Sequence, residues 1–252
     1  MKRIEAPENA TKLLVDIRGV LYASYFWARK EYDAENQHEF ESAVLFRFFT
    51  KLRCAHYYAN TNRIIFCCDS ATSRRKEIYA DYKGKRTKDE YFDRYRAFFL
   101  KVQNEILPFM GFKNILTADG LEADDIIASI CLQESKLPIV IYSEDGDLYQ
   151  CLKQNVHMMS IKRASLDKDA MIMYPSKFEK LFGISCTRWA DVKALAGCST
   201  DNIKGIENVG EGRAIKYLLG ELPNGMIKAR IERGQDIIKF TDRLVQIGRA
   251  HV

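Results

Sequence analysis

Acidic residues stand where apolar runs end or helical runs begin: Asp16 after KLLV, Asp69 after RIIFCC, Glu122, Asp124 and Asp125 in GLEADDII, Asp145 and Asp147 in IVIYSEDGD, and Asp201 in AGCSTDNIKG. Gathered on one edge of a sheet, these carboxylates would repel one another, with no matching excess of Lys or Arg beside them. Divalent cations would resolve that repulsion. Oxygen ligands without a His or Cys constellation favour Mg²⁺ or Mn²⁺, and two such ions about 4 Å apart are a standard device for cleaving phosphodiesters. Any single acid has a plainer role open to it, since Asp and Glu also cap helices and favour the helix dipole. The convergence of several clusters on one edge is what points to metal-dependent hydrolysis.

Those clusters need a scaffold that brings strand ends together. Apolar runs at 12–17, 62–68, 112–117, 138–143 and 155–160 are strand-length and bounded by polar or turn-forming residues. Between them, 37–59 reads as a helix with Phe40, Val44, Phe48, Leu52 and Ala55 on one stripe, and 90–107 and 121–134 read as further helices. The alternation predicts an α/β fold with a mainly parallel central sheet flanked by helices. After about residue 175 strands give way to helical segments at 175–182, 187–196, 212–219 and 223–247, separated by Gly-rich breaks. The expected organisation is a core over 1–174 that includes a segment at 70–108, and a helical extension over 175–252.

A chain of 252 residues with 47% hydrophobic content can bury one substantial core. Its apolar runs are too short to span a bilayer and the N-terminus lacks an apolar signal segment, so no membrane association is expected and the location is read as cytoplasmic. The seven cysteines show no paired zinc or redox spacing and read as buried thiols in a reducing compartment. Net charge is only +5, but basic residues concentrate in Arg74, Arg75, Lys76, Lys83, Lys85, Arg86, Lys88, Arg94 and Arg96, interleaved with Tyr79, Tyr82, Tyr91, Phe92 and Tyr95. Cations for phosphates and rings for bases suit unpaired nucleic acid; the acids mixed among them equally suit a solvated helix face. The scattered histidines, with Trp27 and Trp189, have no site-like spacing.

Taken in order, VDIRGVLY, FCCDS, EIYADYKGKR, LEADDIIASI, YSEDGDLYQ and ALAGCSTDNIKGIENVGEGRAIKYL resemble the signature blocks of the 5′-to-3′ exonuclease and flap endonuclease family, found in bacteriophages and in the N-terminal domain of bacterial DNA polymerase I. The resemblance implies a PIN-like, resolvase-like nuclease core and a structure-specific DNA hydrolase of replication or repair. It implies that Asp16, Asp69, Glu122 and Asp124, with Asp125 nearby, hold one Mg²⁺ or Mn²⁺ and that Asp145, Asp147 and Asp201 hold the second. Lys83 and Arg86 would reach the scissile phosphate. A helix-three-turn-helix at about 201–220 would hold duplex DNA through Lys204, Gly205, Gly210, Gly212 and Arg213, joined by Arg74, Arg75 and Lys85 in the gateway segment at 70–108, and the element in this family often binds a potassium ion. The implied substrates are DNA with 5′ ends, nicks, gaps or flaps, including RNA/DNA hybrids, handled by a monomer in a bacterial or phage-infected cell, with any DNA polymerase a separate partner.

The resemblance departs at Cys198, where many members carry Asp. A neutral thiol is a poor Mg²⁺ ligand, so the second site would rest on Asp145, Asp147 and Asp201 and lean towards Mn²⁺. That leaves open a non-catalytic relative that binds DNA structures with an impaired second site, and an RNA-directed nuclease of related architecture is also open. A dehalogenase-type phosphatase is disfavoured, because the acid-base Asp it needs two positions after Asp16 is replaced by Arg18.

Overall fold

The computed structural model describes residues 12–85, 92–160 and 171–248. Strands β1 (Lys12–Asp16), β2 (Ile64–Cys67), β3 (Ile115–Leu116), β4 (Ile139–Tyr142), β5 (Val156–Met159) and β6 (Ile172–Met173) form one sheet in the order β3-β2-β1-β4-β5-β6. All neighbours pair in parallel except β5 and β6. The central strands are continuous apolar runs because both faces are covered: Leu13, Leu14, Val15, Ile139, Val140 and Ile141 are all fully buried.

Helices α1 (Ile17–Glu31), α2 (Gln37–Ala59) and α4 (Phe92–Lys101) cover one face, where Leu13, Val15, Phe40, Phe48, Phe66, Tyr95 and Phe98 form a single core. A short α3 (Arg74–Ile78) precedes α4, which runs on through a π-helical turn at Val102–Ile106 into α5 (Leu107–Phe109). The opposite face is covered by α6 (Ala123–Gln133), a 3₁₀ turn at Gly146–Cys151, and the later helices α7 (Pro175–Phe182), α8 (Trp189–Ala196), α9 (Glu211–Leu218), α10 (Met226–Arg233) and α11 (Gln235–Val245). Phe178, Trp189, Ala214 and Ile231 share that core with Leu14, Ile127 and Ile141, so the later helices pack on the sheet itself. Between α8 and α9 lies a small antiparallel hairpin of β7 (Gly197–Cys198) and β8 (Ile203–Lys204).

Several elements depart from the sequence reading. α1 was not expected, because no turn separates it from β1: Asp16 ends the strand and caps the helix, its side chain accepting from Gly19 N. The buried positions Ile17, Val20, Leu21, Ser24, Tyr25 and Ala28 then follow the helical period. The helical stretch expected over 223–247 is two helices, broken at Gly234, where a Cβ would lie 2.3 Å from Ile206 Cδ1. Among the described residues no helix is long and apolar enough to cross a membrane. All seven cysteines are free, and only Cys54 and Cys198 are less than fully buried.

Candidate metal centre

β1 lies between β2 and β4, so the chain's progress across the sheet reverses there, and a crevice opens outside the strand ends at such a point. Asp16 ends β1, Asp69 follows β2, and Asp145 and Asp147 follow β4. The N-terminus of α6 brings Glu122, Asp124 and Asp125 to the same edge, fixed by a bond from Ala123 N to Asp69 Oδ1 at 2.8 Å. The β7–β8 hairpin supplies Asp201 and Cys198: one oxygen each of Asp147 and Asp201 and the Cys198 sulfur lie within 4.8 Å of one another, close enough to share an ion.

Asp16 sits deepest. Gly19 N donates to its Oδ1 at 2.9 Å and the Ser143 hydroxyl to its Oδ2 at 3.1 Å. Any side chain at position 19 would place its Cβ 2.4 Å from Oδ2, so glycine is what lets this carboxylate fold back over the helix start. Burial, with the fields of Asp69 and Asp145, pushes Asp16 up to about 6 despite those two bonds. Asp124 is pushed well above the ordinary range by burial and by Asp145, Asp16 and Asp69, and Asp147 is raised by burial and Asp145 against the pull of Lys193. Among the described residues Asp16, Asp124 and Asp145 make no ion pair. These three acids feel one another's charge without a paired cation, and carboxylate oxygens are the donors a hard divalent ion takes.

Glu122, Asp69 and Asp147 already have cations. Lys83 Nζ lies 2.8 Å from Glu122 Oε2, Arg18 Nη1 2.8 Å from Asp69 Oδ2, and Lys193 Nζ 3.0 Å from Asp147 Oδ1 and 2.8 Å from Glu211 Oε1. Burial works against ionised Glu122, but Lys83, Arg75 and the Tyr82 hydroxyl hold its pKa below the usual value. That hydroxyl is 2.8 Å from Glu122 and 3.1 Å from Asp201, and burial keeps the phenol protonated. Lys83 adopts a left-handed backbone, φ 57°, uncommon for a side chain of this size, and its N–H donates to Asp201 O at 2.8 Å. The YKGK turn is thereby tied to the Asp201 hairpin.

Some expected site residues lie elsewhere. Arg75 is 2% exposed, donates to both oxygens of Asp125 at 2.7 and 2.8 Å and to Leu244 O at 2.9 Å, and so cannot reach DNA. Asp125 is correspondingly engaged: besides Arg75 it accepts from Glu122 N and Gly248 N, and this network, overcoming burial, lowers its pKa. Its place is beneath the acidic edge, pinning α3 and the end of α11 to α6. Gly205 serves packing, because a Cβ there would lie 2.2 Å from Ala196 C. Tyr82 and Tyr95 are buried, so their rings are unavailable to bases. Arg74, Lys85, Lys204 and Arg213 are exposed, and the space beside Gly210 and Gly212 is open. Arg86, Lys88 and Tyr91 lie outside the described residues. Sequence reading missed the cations at Arg18 and Lys193; only pairing in space distinguishes them from surface charge.

This fold belongs to a resolvase-like class of α/β nuclease domains. Residues 11–183 match the family described as 5′-3′ exonuclease, N-terminal resolvase-like domain, and the chain belongs to the 5′-3′ exonuclease family. It is 29% identical over 217 residues to the 5′-3′ exonuclease of Buchnera aphidicola, covering 84% of this chain and 70% of that protein. It is 30% identical over 211 residues to DNA polymerase I of Streptococcus pneumoniae, covering 82% of this chain but spanning only 23% of that longer protein. In fold it resembles the phage T5 5′-exonuclease solved with divalent zinc ions, with a TM-score of 0.72 at 16% identity over 94% of this chain and 90% of that one. A phage T5 flap endonuclease solved with DNA and metal ions superposes with a TM-score of 0.69 at 17% identity, over 94% and 89%.

Proposed function

We propose that this protein is a divalent-metal-dependent nuclease that removes nucleotides from the 5′ ends, nicks, gaps or flaps of DNA in replication or repair. The observation that carries this reading is the set of carboxylates at the reversal point of the sheet, three of them without a partnering cation, in a chain of the 5′-3′ exonuclease family. Asp16, Asp69, Glu122 and Asp124 would hold one ion, and Asp145, Asp147 and Asp201 a second beside Cys198. Bound there, Mg²⁺ or Mn²⁺ supplies Lewis-acid polarisation of a phosphate and a water acidic enough to attack it.

The chain's own groups do the positioning. Lys83, partly exposed and held over the Tyr82 ring at 4.9 Å, can leave Glu122 to meet charge gathering on the non-bridging oxygens. Exposed Arg213 and Lys204, with the open main chain at Gly210 and Gly212 leading into α9, suit duplex phosphates, giving preference for DNA structure over sequence. Burial raises the Cys198 thiol and keeps it protonated, which favours a second reading, a DNA-structure-binding relative with a weak second site. Incubation of 5′-labelled nicked, gapped, flapped and blunt DNA with Mg²⁺, Mn²⁺ or EDTA separates the two. Metal-dependent release of short 5′ products, lost on Asp124→Ala or Asp147→Ala with DNA binding retained, is the expected outcome. Tight binding without cleavage in either metal would establish the second reading instead.

A further inference from the structure

Resting on the metal-centre reading above, we propose that Arg18 is the resident counter-cation of that centre and becomes a DNA phosphate contact once a divalent ion takes over Asp69. Arg18 stands in the first turn of α1, two residues past Asp16, on the edge where β1 ends. Its Nη1 lies 2.8 Å from Asp69 Oδ2. The other oxygen of Asp69 is fixed by the α6 amide of Ala123, so Oδ2 is the atom that Asp69 presents to an ion. Arg18 and a metal ion therefore compete for one oxygen.

Exposure distinguishes Arg18 from the other cations of the edge. Its side chain is 38% exposed, against 3% for Arg75, 13% for Lys193 and 21% for Lys83. A guanidinium carries five donors in a fixed fork, and pairing with one carboxylate leaves donors for a second anion. In the metal-free chain the pair neutralises Asp69. A divalent ion on Oδ2 would repel the guanidinium, which can turn outward into solvent on the side where a phosphate must arrive. Metal loading and DNA binding are thereby coupled through one side chain, and the coupling is reciprocal.

The test is Mn²⁺ uptake by the DNA-free protein, read by electron paramagnetic resonance, for wild type, Arg18→Ala and Arg18→Lys, paired with the salt dependence of flap-DNA binding. Removing the competitor should tighten Mn²⁺ about two- to fivefold in Arg18→Ala, the scale of a partly exposed ion pair, and Arg18→Lys should restore weaker uptake. The salt slope of DNA binding, from half-saturation in Mn²⁺ and anisotropy in EDTA, should fall by about one phosphate contact in Mn²⁺ only. Wild-type uptake that Arg18→Ala leaves unchanged or weakens would overturn the competition, and an unchanged slope in Mn²⁺ would overturn the phosphate contact. Absence of Mn²⁺ uptake by the wild type would instead overturn the metal-centre reading, and this inference with it. Thermal unfolding of each variant in EDTA confirms that the exposed substitution leaves the fold intact.

Discussion

At neutral pH Asp16 is ionised at the expense of the fold. Its folded pKa of about 6 lies above the ordinary carboxylate value of 3.8, so the proton binds the native chain more tightly than the unfolded one. The penalty is absent below about pH 4, grows as pH rises, and is complete above the folded value, where it approaches about 3 kcal/mol. Asp16→Asn keeps an acceptor for Gly19 N and removes the charge. It should raise the metal-free stability by about 2 kcal/mol at pH 7.5, with the gain fading near pH 4, as read by urea unfolding in EDTA. A gain that does not change with pH would place the effect in packing. The identity of the acids was legible in the sequence because strand ends announce themselves. Their partners were not: Arg75 and Lys83 look alike in SRRKEIYADYKGKR, yet one is buried on Asp125 and the other is partly exposed on Glu122.

Elements are held to the site by a few contacts between segments far apart in the chain. Arg75 joins α3 to Asp125 in α6 and to the main-chain oxygens of Leu244 and Gln246 at the end of α11. Arg75→Ala would strand a buried carboxylate and should cost about 3–5 kcal/mol, whereas Arg75→Met with Asp125→Leu should recover most of it in thermal unfolding. A loss as large in the double variant would show that the bonds of Arg75 to the carbonyls and of Asp125 to the Glu122 and Gly248 amides dominate. Gly19→Ala should cost activity more than stability, because its Cβ would displace the Asp16 carboxylate while α1 persists; steady-state cleavage beside thermal unfolding reads the split. Helix α2 and the parallel strands were legible from period and apolar runs. Helix α1 was hidden because KLLVDIRGVLYASYFW runs from strand to helix with a candidate metal ligand as the cap, and no turn residue marks the change.

Across the whole molecule a modest net charge of +5 hides a division of labour. The carboxyl edge of the sheet gathers acids, while exposed Arg74, Lys85, Lys204 and Arg213 stand in the segments flanking it. The α/β core and the gathering of acids at its edge could be read from the chain because parallel sheets place strand ends together by topology. The role of the later helices could not, since their apolar stripes do not say which surface they cover; the structure has them sharing the sheet's second core. The most direct measurement of the central claim is the single-turnover rate of 5′ product release from a labelled flap against free Mn²⁺, starting from EDTA-treated protein. The account predicts no cleavage without metal and a log–log slope approaching two at low Mn²⁺, falling towards one once the tighter first site is filled. Cleavage that persists in EDTA, or a rate independent of Mn²⁺, would contradict it.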